Sequence, residues 1–231
     1  MNMKKSMLLI FLLSTLFFTA CGGEKEVEKE LVVEDAPTYF PQLENRAEDE
    51  PVVLLKTTLG NIKIRLFPQY APKAVENFLT HVKNDYYDGV IFHRVMQDFM
   101  IQGGDPTGTG TGGESIYGEP FENEHSNALF NIRGAVAMAN RGLDTNTSQF
   151  YIVQNQTMTQ ELIDQMNEAK YPEIIIETYR KGGAPWLDNG YTVFGQVMDG
   201  MDVVDTIAQV RVNEKSKLLE DVVVLDIELL E

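Results

Sequence analysis

Residues 91–105 read Ile91-Phe92-His93-Arg94-Val95-Met96-Gln97-Asp98-Phe99-Met100-Ile101-Gln102-Gly103-Gly104-Asp105. Taken as one strand over 92–102, the run alternates faces, so Arg94, Met96, Asp98, Met100 and Gln102 share one side and Phe99 takes the other. Arg94 brings a permanent charge and a rigid fork of donors, and Gln102 brings both a donor and an acceptor. A surface that mixes these with Met100 suits neither a core nor open solvent. It suits a wall that reads a peptide, with an apolar floor and a polar rim.

On either side of this stretch the chain alternates short β-rich runs with two helical ones. Segments 52–57 and 61–66 are strands joined by a hairpin at Leu59-Gly60. Ala71-Pro72 opens a helix, since proline suits the first turn, and Val75, Phe78, Leu79 and Val82 recur at helical spacing. Gly103 to Gly113 is a glycine- and threonine-rich loop, and 135–139, 149–153, 192–197 and 221–229 are further strands. Residues 201–210 form a second amphipathic helix carrying Val204, Ile207 and Ala208. Many short strands with two helices suit a barrel or a sandwich, and periodicity alone does not choose between them.

Tyr86-Tyr87-Asp88-Gly89 runs directly into the 91–105 stretch, and three further blocks follow it in order: Gly112-Gly113-Glu114-Ser115-Ile116-Tyr117-Gly118, Met138-Ala139-Asn140 with Thr145-Asn146-Thr147-Ser148-Gln149-Phe150-Tyr151, and Trp186-Leu187-Asp188 leading into Tyr191-Thr192-Val193-Phe194-Gly195. Together with 91–105 they are similar to the cyclophilin-type peptidyl-prolyl isomerases over residues 52–230, less one insertion. The resemblance implies a mainly β fold over 51–231, a closed eight-stranded antiparallel barrel capped by the two helices. The interior of so small a barrel fills with side chains, so the substrate must lie outside it.

The resemblance also implies site residues. Arg94, Phe99, Gln102 and Asn140 are the expected catalytic set, and Met100, Ala139, Gln149, Tyr151, Trp186, Leu187 and Tyr191 the expected substrate-binding set. Phe99, Met100, Tyr151 and Leu187 would form the apolar pocket for the proline ring. Gln102, Asn140 and Gln149 would hold the peptide backbone or orient Arg94, Ala139 would line the groove, and Trp186 and Tyr191 would edge the pocket. Tyr151 stands where many relatives have Phe, and its hydroxyl needs a partner or water. Tyr191 stands where eukaryotic members often have His. Trp186 matches the position linked in the family to cyclosporin, so inhibition by cyclosporin is expected. No cofactor is implied, and a monomer is expected.

The family usually passes in a few residues from the strand ending near Gln154 to the Trp-Leu segment, whereas here an insertion occupies 155–185. Thr159 can cap a helix over 160–170 with Leu162, Ile163 and Met166 on one side, ended by Pro172; a second short helix over 173–181 stops at Gly182-Gly183. The insertion is either decoration packed on the barrel or an added wall beside the peptide groove.

The N-terminus reads as a targeting segment. Lys4 and Lys5 precede an apolar run over 7–20 that is short for a bilayer span and suited to a signal-peptide core. Thr19 and Ala20 then precede Cys21, the single cysteine. The arrangement resembles a bacterial lipoprotein signal, with Phe18 where Leu is usual, and implies cleavage after residue 20 and lipidation of Cys21. Acylation also accounts for an unpaired thiol in an exported protein. Residues 22–50 hold ten acidic and three basic residues, a composition expected to remain a disordered, self-repelling linker. Loss of Lys4 and Lys5 would take the net charge from −16 to −18, so lipid and not charge must anchor the chain to an anionic surface.

Several chemistries are argued against. A net charge of −16 without a basic stripe does not suit nucleic acid. His81, His93 and His125 are scattered and the only cysteine is Cys21, so no metal-ligand spacing exists, and His93 reads as a packed structural residue. The glycine loop at 108–113 is not followed by Gly-Lys-Ser/Thr, and Ser148 has no paired base. The expectation is therefore a lipid-anchored prolyl isomerase on the outer face of the bacterial cytoplasmic membrane, acting on proline-containing segments of secreted or envelope proteins. The alternative is a surface chaperone that holds peptides in the same groove, with isomerisation incidental.

Overall fold

The structure, a computed structural model, describes residues 39–230. Eight strands form one antiparallel sheet: β1 Val52–Thr57, β2 Gly60–Leu66, β3 Arg94–Met96, β4 Met100–Gly103, β5 Ala135–Met138, β6 Phe150–Val153, β7 Val193–Asp199 and β8 Val224–Leu230. Their order is β3-β4-β6-β5-β7-β2-β1-β8. Helices α1 Pro72–Lys83, α2 Gln160–Glu168, α3 Glu173–Tyr179 and α4 Met201–Ala208, with short 3-10 turns at Pro41–Leu43 and Pro185–Leu187, complete the described elements. None of these helices is long and apolar enough to cross a membrane.

The sheet curls but does not close by a ladder. Its edges are β3 and β8, and between them run only the isolated bridge Ile91↔Val223 and a few backbone bonds: Gly89 N–H to Val224 O at 2.9 Å, Val224 N–H to Val90 O at 2.8 Å, Phe92 N–H to Val222 O at 3.1 Å and Val95 N–H to Ser216 O at 2.8 Å. The closed barrel expected from the resemblance is thus an open half-barrel, because the edge strand β3 is only three residues long. The strand predicted over 92–102 is also two strands. A turn at Gln97-Asp98-Phe99, with Asp98 at φ 56°, folds it into a hairpin that pairs Arg94 with Gln102 and Met96 with Met100.

Period-two alternation gives the sheet two apolar faces. Inside, Val53, Leu55, Ile62, Ile64, Ile101, Val136, Phe150, Ile152 and Phe194 pack with Phe78 of α1 and Ile207 of α4. Outside, Met100, Ala135, Ala137, Tyr151, Val153 and Val193 form a second cluster with Phe67, Leu129 and Ala184. Pro72 starts α1 as expected, and its free amides at Lys73 and Ala74 donate to the Glu124 carboxylate at 3.0 and 2.9 Å, a cap supplied from a distant loop.

The insertion forms the two expected helices. The Thr159 hydroxyl accepts from Leu162 N–H at 3.3 Å, capping α2. Ile163, Met166, Ile175, Ile176 and Tyr179 make a third cluster with Ile132 and Phe40. The presence of Phe40 there corrects the linker boundary. Residues 39–50 are part of the folded domain: Gln42 donates to Phe130 O and Gln196 Oε1, both at 2.9 Å, and accepts from Phe130 N–H at 2.7 Å. Arg65 donates to Glu44 O at 2.8 Å and Pro41 O at 2.7 Å, and meets the Glu50 carboxylate at 3.6 Å. Acidic composition pointed to a solvated leader; the buried partners are distant in sequence. The signal segment, Cys21 and the rest of the expected linker lie outside the described residues.

Candidate active site

The hairpin brings Arg94 and Gln102 side by side on the outer face of the sheet. Arg94 Nη1 donates to Gln102 Oε1 at 3.3 Å, and Nη2 lies 3.0 Å from Met96 Sδ. Gln102 Nε2 donates to Gln149 Oε1 at 2.9 Å, and Gln149 Nε2 donates to Gly112 O at 2.7 Å and Gly110 O at 3.2 Å. Gly110 and Gly112 in turn donate their amides to Asp105 Oδ2 at 2.7 and 3.0 Å, while Thr107 donates N–H and hydroxyl to Oδ1 at 2.8 Å. Burial alone would push the Asp105 carboxyl up, but the bonds from Thr107, Gly112 and Gly110 outweigh it and hold it at about 2. A fixed carboxylate therefore orders a glycine loop, the loop orients two amides in series, and the amides steer the guanidinium. Among the described residues Arg94 has no carboxylate partner, so its remaining donors face outward.

Two adjoining hollows share Arg94, Gln102, Ala139 and Asn140. The smaller, about 90 Å³, is completed by Phe99, Met100, Tyr151, Leu187 and Tyr191. The larger, about 420 Å³, runs over Gln149, Pro120, Arg141, Thr145 and Thr147. All four expected catalytic residues thus meet at the smaller hollow, with five of the seven expected binding residues. Gln149 lies at the larger one. Trp186 lines neither; it is half exposed, its ring centroid 5.8 Å from that of Phe99. Phe99, placed by strand alternation on the opposite face, joins Arg94 because it sits in the hairpin turn.

The Tyr151 hydroxyl finds a buried partner, Asn131 Oδ1, at 2.7 Å, and its ring meets that of Tyr191 edge-on at 5.6 Å. Asn140 is held by long bonds at both ends: Nδ2 donates to Asn123 Oδ1 at 3.3 Å and Gly190 O at 3.4 Å, and Oδ1 accepts from Gly142 N–H at 3.3 Å. His93 is buried, its pKa lowered by burial, and lines neither hollow. Sequence reasoning missed Arg141, Thr145 and Thr147, although the block 145–151 was in view, and it missed Asn131. Among the described residues no group of three His, Cys, Asp or Glu side chains could hold a metal ion.

A compact apolar hollow beside a guanidinium with free donors can seat a small ring and donate to an atom at its edge. Side-chain amides along the rim, each with a second lone pair or N–H to spare, suit an extended peptide backbone.

Comparison with known proteins agrees with this chemistry. The family model for cyclophilin type peptidyl-prolyl cis-trans isomerase/CLD matches residues 52–229. A Staphylococcus saprophyticus protein, provisionally named peptidyl-prolyl cis-trans isomerase, is 48% identical over 196 residues, covering 84% of this chain and 100% of that protein. A Staphylococcus aureus protein with the same provisional name is 50% identical over 191 residues, covering 82% and 97%. The crystal structure of a Cryptosporidium parvum cyclophilin type isomerase superposes with a TM-score of 0.65 at 32% identity, covering 79% of this chain and 98% of that one. The same protein in the presence of the dipeptide Ala-Pro gives 0.64 at 32% identity, over 78% and 99%.

Proposed function

The chain belongs to the cyclophilin-type peptidyl-prolyl cis-trans isomerases, and on that premise we propose that Arg94 drives its reaction by donating to the prolyl nitrogen of a twisted Xaa-Pro amide. Resonance gives the amide C–N bond a rotational barrier of about 18–20 kcal/mol, so the isomers exchange slowly. No covalent bond has to break. The enzyme need only bind the twisted amide better than either planar form. On twisting, the nitrogen regains its lone pair and accepts, so a donor already aimed there lowers the barrier.

The observation that carries this reading is the Arg94 guanidinium at the rim of the hollow formed by Phe99, Met100, Tyr151 and Leu187, steered by Gln102 and Gln149. The proline ring takes the smaller hollow, as an Ala-Pro dipeptide would, and Gln102 and Asn140 hold the flanking backbone. Arginine does not deprotonate near neutrality, so turnover is flat in pH around 7. Its clients are proline-containing segments of secreted or envelope proteins, for which Xaa-Pro isomerisation limits folding. The motif around Cys21 supports tethering through lipid at the outer face of the bacterial cytoplasmic membrane. Trp186 at the groove edge supports binding of cyclosporin, and the protein acts as a monomer.

The test is cis-to-trans relaxation of a short Xaa-Pro peptide with the chain from residue 22 onward and with Arg94→Ala. Acceleration by the parent, and a loss of about a hundredfold or more in the variant with peptide affinity retained, is the expected result. A variant that turns over like the parent would remove Arg94 from the chemistry. Loss of turnover with every cellular phenotype intact would favour the peptide-holding chaperone instead.

A further inference from the structure

The insertion meets the rest of the molecule at one buried carboxylate. Asp188 Oδ2 accepts from Tyr179 Oη at 2.6 Å and from Tyr171 Oη at 3.1 Å, both from the insertion. Its Oδ1 accepts from Asn131 N–H at 2.8 Å and Asn131 Nδ2 at 3.0 Å. Asn131 uses its remaining side-chain atom, Oδ1, to accept the Tyr151 hydroxyl at 2.7 Å. Its backbone O takes Ala184 N–H at 2.8 Å.

We propose that Asp188 is a positioning residue through which the 155–185 insertion fixes the wall and the floor of the proline-sized hollow. The wall is the Pro185–Leu187 turn, which Asp188 directly follows and which carries Leu187 into the hollow. The floor is Tyr151, reached through Asn131. Asp188 itself lines neither hollow, so it acts only through these two. The insertion is then neither ornament nor a second groove wall: α2 and α3 pack on their own cluster and present two tyrosine hydroxyls to one point behind the pocket. That four donors converge on this carboxylate accords with its burial, since a charge removed from water needs such bonds to persist. Burial raises the pKa of Asp188 and the bonds from Tyr179, Asn131 and Tyr171 oppose it.

The inference rests on the hollow being the substrate site, so its test reads binding apart from turnover. Trp186 is the single tryptophan and touches the hollow's edge through Phe99, so its fluorescence can follow titration with an Ala-Pro dipeptide in the full-length protein. Asp188→Asn and the double variant Tyr171→Phe/Tyr179→Phe remove the link in two ways, and the second adds no new polar group. Each should weaken dipeptide binding and raise KM by about three- to tenfold with kcat near that of the parent. Tyr151→Phe should cost a similar factor, and combining it with the tyrosine pair should add little, because both cut one path. A lower melting temperature with parental binding and KM, or effects that multiply, would overturn the proposal and leave the insertion a packing element. If parent and variants bind in the expected order but none turns over, the brace stands and the isomerisation mechanism falls. If the parent binds no dipeptide, both fall.

Discussion

Arg94 is exposed and charged, yet its direction is set by neutral groups, Gln102 one hydrogen bond away and Gln149 two. Gln149 is buried and has both ends occupied, by Gln102 Nε2 and by the carbonyls of Gly110 and Gly112. Gln149→Leu should release Gln102 and let Arg94 swing. The expected outcome is a fall of about tenfold in kcat/KM, mostly in kcat, with the flat profile around pH 7 unchanged; peptide relaxation across pH 6 to 8 checks it. The residue types at 94, 99, 100 and 102 were legible because a charge, a thioether and an amide beside one another fit no ordinary face. Their geometry was not. Period-two reasoning assumed one strand, and a turn at Asp98 folds it, which pairs Arg94 with Gln102 and also delivers Phe99. Nothing local marks Asp98 as a left-handed turn residue beyond the tolerance of Asp for that region. Asn131 was invisible for a different reason: its importance comes from Tyr151 and Asp188, which are distant in sequence.

At the scale of elements, the glycine- and threonine-rich loop after β4 is a ring of donors around Asp105. Its composition announced a loop and even resembled a phosphate cradle, but the anion it surrounds is the protein's own. Gly112 shows how tightly. A Cβ there would lie 2.2 Å from Asp105 Oδ1 and 2.7 Å from Thr107 Oγ1. Gly112→Ala should therefore push the loop off the carboxylate and move the carbonyl that Gln149 uses. Destabilisation of about 1–3 kcal/mol is expected from overpacking, together with loss of turnover; denaturant unfolding and the peptide assay on the same sample check both. Asp105→Asn tests the loop from its centre. The carboxyl sits at about 2, below its unfolded value near 3.8. A depressed group adds stability that is fully present above the unfolded value and fades as pH falls through the folded one. Between about pH 4 and pH 2 the parent should thus lose on the order of 1–2 kcal/mol that Asp105→Asn lacks to begin with. The two stability curves, measured by denaturant midpoint, should converge towards acid. Asp188 runs the other way, its raised carboxyl favouring the fold at low pH and losing that advantage as pH rises through the folded value.

The whole molecule extends further toward its N-terminus than its β-sheet does. The family match and the sequence reading both start the domain at residue 51 or 52, yet among the described residues it is 39–50 that supply the polar partners of the Arg65 guanidinium: Pro41 O, Glu44 O and the Glu50 carboxylate, with Phe67 beneath at 5.3 Å. Burial lowers the pKa of Arg65, and Glu50 opposes that. The signal in the sequence was split between two places, an arginine on the strand β2 and an acidic leader that composition assigned to solvent, so neither half looked structural. A chain beginning at residue 51 keeps the sheet but leaves this cation at the surface of a stripped patch with no acceptor, and it also removes Phe40 from the cluster that seats α2 and α3. A chain beginning at residue 39 keeps both. The shorter chain should be less stable by about 3 kcal/mol or more, since it loses the burial of Phe40 together with the bonds made by Gln42 and to Arg65. Arg65→Met in the chain from residue 39 should reproduce part of this loss, since it removes the donor that ties the segment to β2. If the two chains unfold at the same denaturant midpoint, residues 39–50 contribute nothing to the fold. If they differ but Arg65→Met costs nothing, the segment acts through Phe40 and Gln42 and not through the cation.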